Sequence, residues 1–301
     1  MEILIKSILS HHDQILTKVY AVLDVRQFER TSRMMRRVFK NEHNLQLRIL
    51  DLRQFSQGEF NDPAFSTLPQ FYRQSFYRLL PHYFADLADE RVLYLDCDMV
   101  CNGSLLPFYE TDFNGKSIAV IGLDRSGNNG GPEKTFPVPY ESIQIPIGDE
   151  TYFNSGVVLF NLARFRNSND LIDRYRTIAI TYRANIKCSD QDILNLAFMN
   201  DKITLVDNRY NFCLADPQTL SPKMQSYVER EVRLMHFVDK RKPWRYWNYS
   251  NPIFPFYNRY YCLVDRGGLF RECIFRVFRH WPYYKIGYSF FGWVRHFFKD
   301  K

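Results

Sequence analysis

Apolar positions recur at helical spacing in the first ten residues, MEILIKSILS, where Ile3, Leu4, Ser7 and Ile8 fall on one face and HHDQ closes the segment. The period then shortens. Lys18 to Leu23 and LQLRILDL from Leu45 to Leu52 read as strands, with a polar helix from Gln27 to Lys40 between them. SFYRLLPHYFADL reads as a helix ending near Leu87, followed by a polar link and a buried strand from Val92 into Asp96. Ser117 to Gly122 is another short strand, and YFNSGVVLFN from Tyr152 to Asn161 is a strand entered through a polar turn. NSNDLIDRYRTIAITYR reads as a helix opened by Asn169 or Asp170, and CSDQDILNLAF as a helix that Ser189 or Asp190 can cap. Strands alternating with helices at this spacing predict βαβ units, and so an α/β fold whose mixed, mainly parallel sheet is flanked by helices.

From Ser126 to Gly148 the chain is rich in Gly, Pro and Asn, the composition of a long loop, and such loops commonly serve as lids or binding segments. Pro252 and Pro255 interrupt any helix, which divides the chain into a domain over 1–250 and a segment over 251–301. A chain of 301 residues, 46% of them hydrophobic, can bury a full core.

The net charge of +7 belongs mostly to the tail: from Arg259 onward nine Arg and Lys face three acids, a surplus of six. There Phe270, Phe275, Trp281 and Trp293 interleave with Arg271, Arg276, Arg279 and Lys285. Rings beside cations suit an anionic membrane surface, and they also suit a helical layer packed on the core. No nucleic-acid recognition motif accompanies them, so nucleic acid is not expected as a partner. Six cysteines include no CxxC pair, which argues against zinc-ribbon and thioredoxin chemistry. With no signal peptide and no apolar run near the ~18 residues of a membrane span, the expected location is cytoplasmic, peripheral on the inner face of the cytoplasmic membrane.

LYLDCDMV, Leu93 to Val100, carries the sharpest chemistry. Asp96 and Asp98 stand at the end of a strand, where ligands of open α/β sheets gather. Two carboxylates turned to a shared space repel each other unless a cation neutralises them, and carboxylate oxygens suit Mg²⁺ or Mn²⁺ completed by substrate phosphates. Taken alone, the pair also fits a strand-end turn with two solvated acids.

Its surroundings add four ordered stretches: SFYRLL ahead of VLYLDCDMV, then YFNSGVVLFNLARF, SDQDILNLAF and MHFVDKRKPW. Together these resemble family 8 of the retaining glycosyltransferases, the group that includes lipopolysaccharide galactosyl- and glucosyltransferases and glycogenin. The resemblance implies a GT-A type, Rossmann-like fold and transfer of a hexose from a UDP-sugar to a glycan or glycolipid acceptor. It implies Asp96, Asp98 and His236 as metal ligands, with Mn²⁺ the usual ion and Mg²⁺ the other candidate. Arg78, Cys97 and Lys242 match donor-contacting positions, with Lys242 on the diphosphate. Asn154, Asp190 and Gln191 match residues around the transferred sugar, and Asp124 in VIGLD matches a further sugar contact. In that arrangement Gln191 lies on the face opposite the leaving group. An amide there disfavours a stable covalent intermediate and favours front-face substitution.

The chain also departs from the family. MEILIKSILSHH resembles the helix that follows the family's first strand, so the strand carrying the base- and ribose-gripping residues is expected to be missing and a central sheet position empty. A late start codon, truncation and a degraded, non-catalytic glycan- or membrane-binding relative all remain open as explanations. Asp239 stands where relatives often place a glycine near the diphosphate.

Overall fold

A computed structural model describes residues 1–25, 28–55, 58–122, 152–214, 221–238 and 260. Asp124, Asp239, Lys242, the loop over 126–148 and the 251–301 segment apart from Tyr260 lie outside the described residues. The strands are β1 (Thr17–Leu23), β2 (Leu45–Asp51), β3 (Arg91–Leu95), β4 (Met99–Cys101), β5 (Ile118–Gly122), β6 (Phe153–Asn161), β7 (Lys202–Leu205), β8 (Phe212–Cys213) and β9 (Leu234–His236). They form three ladders, in the orders β1-β2, β3-β6-β5-β7 and β4-β9-β8.

The fold is α/β with mixed pairing, as the alternation of elements predicts. Antiparallel pairing takes a larger share than that alternation suggests, because β6 runs antiparallel to both β3 and β5. Gly122 pairs with Phe153, so the chain leaves β5 and enters β6 at the same end of the sheet. A return of that kind makes antiparallel neighbours, whereas a parallel pair needs a crossover.

Strand β6 alternates as a two-faced strand should. Val158 and Phe160 enter a cluster with Phe65, Phe76, Phe165 and Phe198. Val157 and Leu159 point the other way, among Leu4, Met99, Phe108 and Leu234. The first helix, Glu2–Leu9, buries Leu4, Ile5, Ser7 and Leu9, so Leu4 and Ser7 face inward as expected while Ile5 and Leu9 take the places expected of Ile3 and Ile8. Its Ser7 hydroxyl accepts a 2.9 Å bond from the Cys101 backbone N–H, which fixes the helix against β4.

Two local expectations are not met, one through a proline and one through tertiary contacts. The predicted helix ending near Leu87 is broken into the turn Arg73–Phe76 and the 3-10 segments Tyr77–Leu79 and Pro81–Tyr83. Pro81 cannot donate, and its ring pushes Leu80 out of helical geometry to φ −124° and ψ 54°. The helix Ser189–Ala197 is capped at Cys188, not at Ser189 or Asp190. Those two side chains have tertiary partners, the Pro69 carbonyl and Arg78. Asp192 reaches back to accept from the N–H groups of Lys187 and Cys188 at 2.7 and 2.8 Å.

Strand β3, expected to be buried, is only half-buried along its length. It pairs with β6 on one edge, and among the described residues no strand pairs with the other. β1 likewise pairs only with β2. Side chains of β1 reach the turn that precedes β3: Lys18 lies 2.7 Å from Asp86 and 2.8 Å from Asp89, and the Tyr20 hydroxyl donates to Asp89 at 2.5 Å.

Helix Ser189–Ala197 is tied to the start of β6 by Asn195, which is fully buried. Its side chain accepts from the Phe153 N–H and donates to the Phe153 carbonyl, both at 2.9 Å. Asn195→Leu removes both bonds while keeping the volume, so the variant should lose about 2–4 kcal/mol of stability. The midpoint of urea unfolding measures it, and an unchanged midpoint would show that Asn195 does not carry this junction.

Candidate active site

Asp96 and Asp98 belong to different ladders, and that is what brings the histidine of β9 up to both carboxylates. The Asp96 N–H donates to the Gly156 carbonyl at 2.9 Å, extending the β3–β6 ladder by one residue. The Asp98 carbonyl accepts from the Phe237 N–H at 2.9 Å, and Met99 then faces His236 across β4 and β9. Cys97 is the exposed residue at the crossing, and its carbonyl lies 3.5 Å from the Met1 ammonium.

Asp96, Asp98 and His236 therefore converge, one ligand atom from each lying within 4.8 Å of the others. His236 Nε2 stands 3.2 Å from Asp98 Oδ1 and 3.8 Å from Asp96 Oδ2. The histidine side chain is 3% exposed and the two carboxylates about a quarter exposed, which makes a closed floor with an open mouth. Burial opposes charge on the imidazole, and the hydrogen bond and negative charge of Asp98, helped by Cys213, outweigh it and push its pKa up to about 10.

The other side of Asp96 is held rigidly. Its Oδ1 accepts from the Tyr94 hydroxyl at 2.7 Å and from Arg78 at 3.1 Å. Arg78 is nearly buried, and it reaches Asp190 at 3.0 Å and the Ser155 carbonyl and hydroxyl at 3.1 and 3.0 Å. Burial works against the guanidinium charge, and Asp96, Tyr94 and Asp190 raise its pKa in spite of it. Burial raises the Asp190 carboxyl, and Arg78 and Ser75 act in the opposite direction.

Gly156 makes room for this cluster. A Cβ at Gly156 would lie 2.4 Å from His236 Cε1, 2.8 Å from Asp96 Oδ2 and 2.9 Å from Asn154 Oδ1. Only a residue without a side chain lets β6 pass directly beneath Asp96 and His236.

Asn154 and Gln191 are bonded to each other beside the cluster. Gln191 Oε1 accepts from Asn154 Nδ2 and from the Ser155 N–H, each at 3.1 Å, and Gln191 Nε2 donates to the Tyr152 hydroxyl at 2.7 Å. Tyr152 in turn donates to Asp192 at 2.6 Å. Asn211 donates to Asn154 Oδ1 at 3.3 Å, and its Oδ1 lies 3.0 Å from His236 Nδ1.

Of the residues expected from sequence, Arg78, Asp96, Cys97, Asp98, Asn154, Asp190, Gln191 and His236 come together, while Asp124 and Lys242 lie outside the described residues. Sequence reasoning missed Gly156, Tyr94, Tyr152, Asp192 and Asn211. The first four sit inside the quoted motifs. Asn211 is signalled by nothing in the sequence.

A buried histidine beside two strand-end carboxylates, backed by ordered amides, offers a ligand set that could hold a divalent cation, on a GT-A-like α/β fold. The chain matches glycosyl transferase family 8 over residues 1–248, and it belongs to that family. It is similar to a lipopolysaccharide 1,3-galactosyltransferase of Salmonella typhimurium, with 28% identity over 60% of this chain and 52% of the relative. It is also similar to the lipopolysaccharide glucosyltransferase WaaO of Escherichia coli, with 26% identity over 58% of this chain and 50% of the relative. The chain thus spans about half the length of these relatives. Among solved structures it shares the fold of the galactosyltransferase LgtC in complex with donor and acceptor sugar analogs, at a TM-score of 0.62 and 20% identity, covering 87% of this chain and 89% of that one. No helix among the described residues is long and apolar enough to cross a membrane.

Gly156→Ala forces a methyl into the floor of the cluster. The variant should fold, with a stability cost of about 1–3 kcal/mol, and should bind Mn²⁺ at least about 10-fold more weakly. Calorimetry with MnCl₂ reads the second effect. Equal affinity in the two proteins would show that the three side chains do not share an ion.

Proposed function

We propose that this chain is a retaining hexosyltransferase that moves galactose or glucose from a UDP-sugar to a cell-surface glycan or lipopolysaccharide-type acceptor. The observation that carries this reading is the convergence of Asp96, Asp98 and His236 over Gly156. Two carboxylates with one imidazole suit Mn²⁺ better than Mg²⁺. When bound, the ion draws the donor diphosphate to the site and offsets the charge gathering on the departing nucleotide.

The protein's own groups divide the remaining work. Arg78 holds Asp96 and Asp190 at fixed separation, so the metal side and the sugar side keep one geometry. Asp190, Asn154 and Gln191 line the transferred sugar. Gln191 Oε1 already accepts two hydrogen bonds and has little left to offer as a nucleophile, which supports front-face substitution. Cys97, exposed between the carboxylates, borders the donor, and Lys242 and Asp124 complete its contacts with diphosphate and sugar.

The full chain should release UDP from UDP-galactose or UDP-glucose in Mn²⁺, and Asp98→Asn should lower that rate by at least about 100-fold. Chelation should lower it as far, and added Mn²⁺ should restore it. Turnover that survives both treatments would remove the metal from the reaction. Absence of UDP and Mn²⁺ binding would leave the non-catalytic glycan- or membrane-binding reading in its place.

The 251–301 segment is proposed to dock the protein on the inner face of the cytoplasmic membrane. Removing residues from Arg266 onward should free the protein from anionic vesicles in flotation and leave MnCl₂ affinity unchanged. Unaltered flotation would assign the segment to packing.

A further inference from the structure

We propose that Asn211 is a positioning residue that fixes His236 in the Nδ1-protonated form, leaving Nε2 to face the two carboxylates. This rests on the metal-site reading above and adds the device that prepares the histidine for it.

The assignment follows from two groups that have no freedom. The backbone N–H groups of Ser155 and Gly156 can only donate. The first is bonded to Gln191 at 3.1 Å, so the Gln191 atom there is the oxygen. The second is bonded to Asn154 at 3.0 Å, so the Asn154 atom there is the oxygen too. With its oxygen placed, Asn154 turns its Nδ2 to Gln191 Oε1 at 3.1 Å.

The choice then propagates. Asn211 approaches the same Asn154 oxygen at 3.3 Å and must present its own NH₂ there. Its carbonyl oxygen is left facing His236 Nδ1 at 3.0 Å, and an amide oxygen can only accept. His236 Nδ1 must carry a proton. Asn211 is buried at 4% exposure and His236 at 2%, so solvent does not compete for these positions.

Viewed from the histidine, every donor points the same way. His236 donates to Asn211, Asn211 to Asn154, Asn154 to Gln191, Gln191 to Tyr152 and Tyr152 to Asp192. Asp192 is a fitting terminus, because it is 2% exposed and its other oxygen accepts from the Lys187 and Cys188 N–H groups. Second-layer partners of this kind fix the tautomer and ring orientation of a ligating histidine.

Titration calorimetry of the full chain with MnCl₂ alone tests the assignment. Asn211→Leu removes the acceptor and should weaken Mn²⁺ binding about 10- to 100-fold, while Asn211→Asp keeps an acceptor and should bind within about threefold of the unaltered chain or more tightly. Thermal unfolding of each variant separates this from loss of fold. Should Asn211→Leu not fold, the ¹⁵N spectrum of His236 in the unaltered chain with Zn²⁺ as a diamagnetic stand-in decides: a protonated Nδ1 and bare Nε2 are expected, and the opposite tautomer overturns the proposal. An unaltered chain that binds no Mn²⁺ would sink the metal-site reading itself. Equal binding by the unaltered chain and a folded Asn211→Leu would sink only the role of Asn211.

Discussion

Two backbone hydrogen bonds, one on each side of Cys97, hold the site in place. Asp96 N–H to Gly156 carries the first aspartate as the last rung of one sheet, and Phe237 N–H to the Asp98 carbonyl makes the second aspartate the first rung of another. A chain that simply continued one strand would alternate its side chains and keep Asp96 and Asp98 on one face with no histidine near them. Changing sheets between the two residues brings in β9, and with it His236, from a stretch of sequence well over a hundred residues away. The meeting of both aspartates with His236 is thus a consequence of sheet topology.

Charge balance supports the proposed cation by a separate route. Three carboxylates, Asp96, Asp98 and Asp190, surround one guanidinium, that of Arg78, and one imidazole. With the imidazole protonated, as its raised pKa favours, the group still lacks one positive charge, and a divalent cation that displaced the Nε2 proton would close the balance. Arg78 cannot make up the difference by moving, because it is held by Asp96, Asp190 and Ser155 and stacks 4.9 Å from the Tyr94 ring. A buried cation in this setting divides its influence between the two halves of the site and leaves the remaining deficit on the side of Asp98 and His236.

Much of this was legible in the sequence, and the illegible parts share a cause. DCD, the YFNSG turn, SDQD and the histidine of MHFV could be read because their local pattern survives in the fold. The break at Pro81 was also available from the sequence, since the proline rule stood against the apolar period that suggested one helix through to Leu87. The capping role expected of Ser189 and Asp190 failed because Pro69 and Arg78, far away in sequence, claimed those side chains. β3 reads as buried by composition, and only its pairing on one edge shows that it is not. Asn211 could not have been found at all, because its meaning depends on two neighbours, Asn154 and His236, that approach it from separate strands.

Strand β6 shows why one short turn can carry so much. Between Phe153 and Val158 the register of β6 against β5 shifts, and there the Gly156 N–H donates to Asn154 Oδ1, gathering these two residues on one side while Ser155 turns to Arg78. The face with Asn154 and Gly156 adjoins His236 and Asp96, while Ser155 offers its carbonyl and hydroxyl to Arg78. The main chain contributes as much as the side chains: the Gly156 carbonyl fixes Asp96, and the N–H groups of Ser155 and Gly156 fix the amides of Gln191 and Asn154. Main-chain groups cannot rotate to a competing partner, so the orientation they impose holds without a conformational choice. A substitution at Asn154 or Gly156 therefore acts on both the Asn154–Gln191 pair and the Asp96–Asp98–His236 cluster, whereas one at Asp190 or Asp98 acts first on its own surroundings.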